Sequence, residues 1–319
     1  MNDGFTVCIV GLGLMGGSLA LALRQASDSP AQSNGSYTTD HGSCSTDHGS
    51  RTTHHVPPIA FHASRITGVS RSPETRAMAR ASGAVDAIMP DLAAGVADAD
   101  VVVLATPVRT ILRQLSEIGR HARPGALILD LGSTKTAICA AMADLPAGLQ
   151  PVGGHPMCGK ETAGFAAAEA GLFHNRPFVL CPLPRTAPAA LATATGLAHA
   201  IGSRPIVLDP ATHDRAVAAI SHLPYAVSVA LVNAVAAADD PLAWSLAASG
   251  FRDTSRLAAS DVEMMLDILL TNRAAALDWL GVFQGQLADL KEALLVQDET
   301  ALRARLAAAQ ARRAGMRLG

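Results

Sequence analysis

Two polar clusters in this 319-residue chain combine residue types suited to proton transfer and to anion binding. The first contains DLGSTK, residues 130–135, and GGHPMCGKE, residues 153–161. His155 follows two glycines and precedes a proline, and an imidazole, which titrates near neutrality, can accept a proton from an alcohol that is being oxidised. The second cluster contains SHLPY, residues 221–225, and GFRDTSR, residues 250–256, whose arginines and hydroxyls suit an anionic substrate.

Closely spaced glycines near the N-terminus predict a turn that binds a dinucleotide. An apolar strand over 5–10 leads into G-x-G-x-x-G and then into an apolar helix. In this context the first glycine permits a tight turn, the second lets a pyrophosphate approach the backbone, and the third lets the helix pack on the strand. The anion would lie at the helix N-terminus, where N–H groups and the helix dipole favour negative charge. We assign to the cofactor Gly11, Gly13, Leu14, Met15 and Gly16, together with Thr106 and Pro107 after a later strand.

The residues that follow the second strand bear on the choice of cofactor. The strand RITGVS ends at Ser70 and is followed by Arg71 and Ser72, where NAD-preferring folds usually place an acidic residue for the ribose hydroxyls. A hydroxyl and a guanidinium instead suit the 2′-phosphate of NADP. The sequence therefore favours NADP, with NAD possible; the alternative is that Arg71 is a solvated surface side chain.

The distribution of apolar runs predicts the elements that must position these clusters. Continuous runs are typical of a parallel sheet covered on both faces, and they occur at 5–10, 66–70, 101–105, 127–131, 178–181 and 205–208. Beyond about residue 210 the patterns are helical and cover 211–238, 241–249, 258–281 and 284–312. We predict an α/β, doubly wound dinucleotide-binding domain over 1–184 and a mainly helical substrate and dimerisation domain over 185–319.

Two further segments stand out from this pattern. Residues 27–62 are rich in Ser, Thr, Gly, His and Asp and contain the repeat TDHGSCSTDHGS, which predicts a surface insertion. The insertion contains five potential metal ligands whose spacing matches no standard site, so we predict no metal: His41, Cys44, His48, His54 and His55. In the last helices, apolar residues spaced as in a short coiled coil predict either a core stripe or a dimer face: Leu280, Phe283, Leu287, Leu290 and Leu294.

The overall composition narrows the class of protein. A net charge of −2 with 16% charged residues lacks the basic character of nucleic-acid-binding proteins. The apolar run YAVSVALVNAVAAA is too short for a membrane span and contains Ser228 and Asn233, and no basic region precedes the first apolar run as in a secretory signal. The five scattered cysteines predict reduced thiols. We expect a cytoplasmic protein that acts on a small molecule and binds neither nucleic acid nor membranes.

The motifs GLGLMGGS, DLGSTK, GGHPMCGKE, SHLP and GFRDTSRLA, in this order and spacing, resemble the prephenate/arogenate dehydrogenase family of tyrosine biosynthesis. The resemblance covers nearly all of residues 5–285 except the insertion. It implies oxidative decarboxylation of prephenate to 4-hydroxyphenylpyruvate, or of arogenate to tyrosine. It also implies a homodimer with an N-terminal Rossmann-like domain and a C-terminal helical domain arranged as in 6-phosphogluconate dehydrogenases.

The resemblance also implies roles for particular residues. His155 accepts a hydrogen bond from the 4-hydroxyl of the substrate ring while hydride leaves that carbon for the nicotinamide, and Ser133 orients both His155 and the nicotinamide. Arg256 binds a substrate carboxylate. Aromatisation of the ring then drives the loss of CO2.

The remaining motif residues are implied to contact the substrate or to border its site. Ser221 and His222 match the substrate-binding SHLP motif, and Glu161 and Asp253 lie at the mouth of the site. Many family members carry His where this chain has Tyr225. A phenol cannot become cationic, so this position leaves the choice between prephenate and arogenate open.

Two other functions share part of this pattern. A β-hydroxyacid dehydrogenase would also have the glycine turn and a helical second domain, but its Lys-x-x-x-Asn helix motif is not evident here. A nucleotide-sensing dimer without catalysis would be favoured by the loss of His155 or Arg256, and both are present.

Overall fold

The structure, a computed structural model, describes residues 4–28, 59–160 and 162–316. The chain divides into two compact units, Met1–His213 and Asp214–Gly319. The boundary thus lies at 213/214 rather than at the predicted 184/185. The difference arises because residues 188–207 form a helix and a strand that complete the sheet of the first unit. Most of the predicted insertion, with its five possible metal ligands, lies outside the described residues.

The first unit is built on one eight-stranded sheet. Its strands are β1 (Phe5–Val10), β2 (Ala63–Val69), β3 (Ala87–Met89), β4 (Val101–Leu104), β5 (Leu127–Asp130), β6 (Gln150–Pro156), β7 (Pro177–Pro182) and β8 (Arg204–Val207). They lie in the order β3-β2-β1-β4-β5-β6-β7-β8, and every neighbouring pair is parallel except β6 and β7. The strand order reverses direction between β1 and β4, which is the usual ligand-binding crevice of a doubly wound sheet.

Helices cover both faces of this sheet. They are α1 (Leu14–Asp28), α2 (Pro73–Ala81), α3 (Leu92–Val96), α4 (Val108–His121), α5 (Thr136–Ala143) and α6 (Pro188–Ala200). Alternate residues of β1 serve the two cores: Val7 and Ile9 pack with α1 and α6, whereas Cys8 and Val10 pack with α4 and α5. Burial raises the pKa of the Cys8 thiol to about 12, so Cys8 behaves as a small apolar side chain. The predicted α/β, doubly wound architecture is confirmed.

Strands β3 and β6 were not predicted from the sequence. β3 has only three residues, and β6 reads QPVGGHP, in which proline and glycine suppress the strand signal. In β6 the glycines are required by packing: a Cβ on Gly154 would lie 2.3 Å from the Asp130 carbonyl oxygen, and one on Gly153 would lie 2.6 Å from Cys139 Sγ. The glycines that weaken the strand prediction for β6 are therefore the residues that its close packing requires.

The second unit is helical. Its helices are α7 (Pro210–Val217), which crosses the unit boundary, α8 (Leu223–Ala236), α9 (Pro241–Ser245), α10 (Ser249–Ser255), α11 (Val262–Thr271), α12 (Arg273–Leu295) and α13 (Glu299–Gly315). The prediction of helices over 258–281 and 284–312 is wrong in its boundaries. The chain leaves helical geometry at Asn272, whose buried amide donates to the Asp214 carbonyl, and α13 starts afresh where Asp298 caps it. Helix α12 therefore carries the whole predicted apolar seam.

Within the described part of the chain, one helical stretch, Pro210–Ala236, is long and apolar enough to cross a membrane by length and composition. Its most apolar window has a mean hydropathy of 1.5. The stretch exceeds the run weighed from the sequence because α7 continues into α8 through a π-helical turn over Ala218–His222. Core helices of water-soluble proteins share this length and composition, and Asp214 and His222 within the stretch are buried.

Candidate functional site

The glycine turn lies between β1 and α1 and has three different glycine environments. Gly11 has φ +95°, which permits the tight turn, and a Cβ on Gly16 would lie 1.9 Å from the Gly11 carbonyl oxygen. A Cβ on Gly13 would meet no atom within 4 Å, so the backbone there faces open space. Leu14 and Met15 begin α1 directly after this opening. The turn is therefore shaped to receive a diphosphate at a helix N-terminus.

The carboxyl ends of three strands meet at this turn. Gly11 N–H donates to Val69 O at 2.9 Å, and Ala105 N–H donates to Val10 O at 2.8 Å. Thr106 follows β4, and its hydroxyl donates to Gln114 Oε1 at 2.8 Å, while Pro107 precedes α4. These residues border the point at which the strand order reverses. The assignment of Thr106 and Pro107 to the cofactor stays a prediction.

The corner after β2 is more elaborate than the sequence indicated. Ser72 caps α2 by accepting from Thr75 N–H, and its hydroxyl donates to the Glu74 carboxylate, which lowers the pKa of Glu74. Arg76 donates to the carbonyl oxygens of Ser70 and Arg71, at 3.0 and 2.9 Å. The Arg71 side chain is exposed. The sequence analysis did not single out Arg76, because this residue lies six positions after Ser70. Only the first turn of α2 brings its side chain back to the end of the strand.

His155 lies near the carboxyl end of β6 and is half-buried. Its Nδ1 is 2.8 Å from Nε2 of His213, a residue that is 1% exposed and that the sequence analysis did not single out. Cys158, three residues later, is held in the thiol form because burial raises its pKa to about 11 against the opposing effect of Arg176. A nucleophile would need the thiolate, so Cys158 is poorly suited to that role, and the reactive role of His155 stays a prediction.

A buried ion pair holds the backbone immediately before His155. The Lys135 ammonium contacts the Asp130 carboxylate, and both side chains are 0% exposed. Gly154 N–H donates to Asp130 Oδ1 at 2.9 Å, and Lys135 Nζ donates to Gly154 O at 2.6 Å. The backbone N–H and C=O of Gly154 are thus both bonded to this pair, which fixes β6 at the position of His155.

Ser133 belongs to the same loop as this ion pair. It is partly exposed and follows β5, whose Leu129 pairs in parallel with Val152 of β6. Ser133 and His155 therefore lie at the same edge of the sheet. Glu161 lies outside the described residues. Among the residues that the structure describes, no group of three or more His, Cys, Asp or Glu side chains could hold a metal ion.

In the second unit, the SHLP motif forms a π-helical turn that leads into α8. The N–H of Leu223 donates to Ala218 O, and the following Pro224 has no N–H to restore regular α-helical bonding at once. This turn leaves Ser221 exposed and buries His222, whose Nδ1 is 3.3 Å from the Asn272 amide nitrogen. An amide N–H can only donate, so Nδ1 of His222 accepts and its other nitrogen carries the proton.

The GFRDTSR motif covers α10 and the turn after it. The buried Ser228 hydroxyl on α8 donates to Thr254 O at 2.6 Å and so ties this segment to α8. Arg256 begins a 3-10 turn and is exposed. Asp253 is exposed as well and pairs with Arg252, and Tyr225 lies half-buried on α8. The second unit thus presents a cationic side chain on a segment with a fixed backbone.

Comparison with known families identifies both units. Residues 60–207 match the model of the prephenate dehydrogenase nucleotide-binding domain, and residues 209–308 match that of the prephenate dehydrogenase dimerization domain. The chain belongs to the prephenate dehydrogenase family. The resemblance found in the motifs is confirmed, and it replaces the β-hydroxyacid dehydrogenase alternative.

Relatives within the prephenate dehydrogenase family cover most of the chain. A prephenate dehydrogenase of Bacillus subtilis is 33% identical over 278 residues, which are 86% of this chain and 66% of that protein. The crystal structure of a Synechocystis arogenate dehydrogenase is 33% identical, with a TM-score of 0.76 and coverage of 97% and 98% of the two chains. The structure of an Aquifex aeolicus prephenate dehydrogenase with hydroxyphenyl propionate and NAD+ is 26% identical, with a TM-score of 0.80 and 97% coverage of each chain.

The long apolar helical stretch lies within the part of the chain that matches the dimerization domain. The dimerization-domain match begins at residue 209 and covers the whole stretch Pro210–Ala236. Helices of a dimerization domain carry apolar side chains for the partner subunit as well as for their own core.

Proposed function

We propose that the protein is a prephenate dehydrogenase that converts prephenate to 4-hydroxyphenylpyruvate and CO2. The observation that carries this proposal is the position of His155 at the carboxyl edge of the same sheet that bears the glycine turn. The family match and the names of its relatives support the same activity. A bound nicotinamide dinucleotide would supply the hydride acceptor.

In this mechanism His155 accepts a hydrogen bond from the 4-hydroxyl of the ring and so promotes departure of hydride from the same carbon. Its Nδ1 is bonded to His213, so Nε2 is the nitrogen that would meet the hydroxyl. Ser133, at the same sheet edge, would orient His155 and the nicotinamide. Loss of the ring carboxylate as CO2 leaves its electron pair in the ring, which becomes aromatic.

The second substrate candidate is arogenate, which carries an ammonium where prephenate has a ketone. Tyr225 is compatible with arogenate as a substrate, because a neutral phenol gives no electrostatic reason to reject an ammonium. The name of the Synechocystis relative, an arogenate dehydrogenase, also supports this second candidate. We expect prephenate to be the better substrate and arogenate to be used measurably.

The test is a spectrophotometric assay of the purified protein with prephenate and with arogenate, each with NAD and with NADP. Reduction of the cofactor with prephenate is the expected result. Absence of reduction in all four combinations, from protein that is folded by circular dichroism, would refute the proposed activity.

Arg256 is expected to act on both substrates alike, because we propose that it binds the carboxylate that they share. Replacing Arg256 by Ala should weaken kcat/KM for each by about 1.5–3 kcal/mol, the range of hydrogen bonds to charged groups, or roughly 10–150-fold. The measurement is steady-state kinetics with both substrates. Arg303, exposed on α13 and paired with Glu299, gives the control, for which Arg303→Ala should change little.

Position 225 is expected to discriminate between the substrates instead. In Tyr225→His a partly cationic imidazole would repel the ammonium of arogenate, so the ratio of kcat/KM should move towards prephenate. An unchanged ratio would assign the selectivity to other residues.

We further propose that NADP is the preferred cofactor, through the corner formed by Ser70, Arg71 and Ser72. Arg76 adds a second guanidinium there, whereas Glu74 adds a carboxylate at the same helix start. Replacing Ser70 by Asp and Arg71 by Gln should raise the KM for NADP roughly 10–100-fold relative to NAD, because repulsion replaces a charge-assisted contact. Arg80→Gln, at the other end of α2, removes the same charge as a control. A wild-type preference for NAD of about tenfold or more would contradict the assignment.

The protein is proposed to be a cytoplasmic homodimer formed through the helical unit. Helix α12 alone leaves Leu277, Leu287 and Leu294 exposed by 57%, 50% and 59%, which a single chain would present to water. Of the predicted seam, Leu280, Phe283 and Leu290 are half-buried. Light scattering should give twice the chain mass, and Leu287→Glu should shift it towards the monomer. A wild-type monomer at micromolar concentration would rule out the dimer.

A further inference from the structure

We infer that His213 is a positioning residue for His155, and that it selects the imidazole tautomer in which Nε2 of His155 can accept a hydrogen bond. The inference concerns the reaction proposed above and rests on it for its catalytic meaning. Its structural part, the tautomer of His155, can be measured without any substrate.

The geometry joins the two rings through one hydrogen bond. Nδ1 of His155 lies 2.8 Å from Nε2 of His213, and the ring planes are inclined by 72° with centroids 5.1 Å apart. His213 is 1% exposed, whereas His155 is half-buried near the end of β6. The buried partner thus has a fixed position, and its own N–H group in the backbone donates to Asp209 O at the start of α7.

A hydrogen bond between two neutral imidazoles needs one proton between the two nitrogens, which leaves two arrangements. If His213 donates, Nδ1 of His155 accepts, and Nε2 of His155 carries a proton and can only donate. If His155 donates through Nδ1, its Nε2 has a lone pair and can accept from a substrate hydroxyl. Only the second arrangement suits the proposed reaction, so His213 must act as the acceptor.

The same arrangement helps His155 as charge develops on it. When Nε2 draws the proton of the hydroxyl towards it, positive charge builds on the imidazole, and the Nδ1–H bond to a fixed acceptor stabilises that charge. This is the role that an orienting group plays in other catalytic assemblies, where the nitrogen that does the chemistry is set by the hydrogen bond of the other nitrogen. Here a second histidine occupies that place.

The first measurement is nitrogen NMR on protein labelled with 15N-histidine, without substrate, in which loss of signals in His155→Asn assigns the His155 ring. In the wild type we expect the neutral ring of His155 to carry its proton on Nδ1. In His213→Leu we expect the protonation to move towards the mixture found in an unrestrained histidine. A wild-type proton on Nε2 would overturn the inference.

The second measurement separates positioning from general structural loss. His213→Gln retains a side-chain carbonyl as an acceptor, whereas His213→Leu does not. His213→Leu is expected to lower kcat about 10–100-fold, a part of what a positioned base contributes, with cofactor binding and the KM for prephenate little changed. His213→Gln should recover most of the lost kcat and keep the wild-type tautomer. His199→Leu, a half-buried histidine on α6, is the control.

The outcomes are distinguishable. Equal kcat in His213→Leu and the wild type, or an equal loss in both folded His213 variants, contradicts positioning by hydrogen bonding. If His213→Leu does not fold, the tautomer of the His155 ring in the wild type and in His213→Gln decides whether position 213 accepts its proton. Absence of turnover in the wild type refutes the proposed function, while the tautomer measurement still decides the pairing.

Discussion

Replacing His155 by Asn is expected to lower kcat by about 10²–10⁴, the usual contribution of a positioned acid–base group. An amide can still fill the space near the end of β6 and bond to His213, so the sheet and the glycine turn should be unaffected. The expected pattern is a fall in kcat with cofactor binding retained, measured by steady-state kinetics and by calorimetric titration with NAD and NADP.

The control for this variant is His199→Asn, which removes a histidine from α6 of the same unit. It should retain wild-type turnover. Near-normal turnover in His155→Asn would transfer the acceptor role to another group. His222 is the alternative that the sequence motifs offer, but it is 2% exposed and its Nδ1 is bonded to Asn272.

Replacing Lys135 by Met is expected to lower the free energy of unfolding by about 3–5 kcal/mol, because it leaves the Asp130 carboxylate buried without its counter-charge. Methionine matches the length of the lysine stem, so the loss reports the charge rather than a cavity. The measurement is urea denaturation followed by circular dichroism. Since Lys135 also donates to Gly154 O, kcat should fall as well in the folded fraction.

A second substitution tests the cause of this loss. Adding Asp130→Asn to Lys135→Met removes the uncompensated carboxylate, so the double variant should regain part of the lost stability. Arg303→Met, which breaks an exposed ion pair with Glu299 on α13, should have little effect. If Lys135→Met were as mild as Arg303→Met, the buried pair would not be what holds β6 in place.

The sequence by itself determined the features that depend on residues close together along the chain. The turn between β1 and α1 needs φ > 0 at Gly11, open space at Gly13 and close contact at Gly16, and these demands act within six residues, so the spacing predicts them. The apolar runs likewise predicted the doubly wound sheet, because burial on both faces requires continuous apolarity. The motifs around His155 and Arg256 were enough to indicate the family.

Only the tertiary structure decided the features whose partners lie far apart in the sequence. Strand β6 has weak intrinsic strand propensity and exists because β5 and β7 pair with it on either side. The hydrogen bond between His155 and His213 joins residues 58 positions apart, and no periodic pattern in the sequence predicts it. Asp130 and Lys135 are near in sequence, but their burial together depends on packing against Gly154. Hydrogen bonds and burial act through space, and the distance along the chain does not limit them, so the surroundings of His155 could be read only from the folded protein.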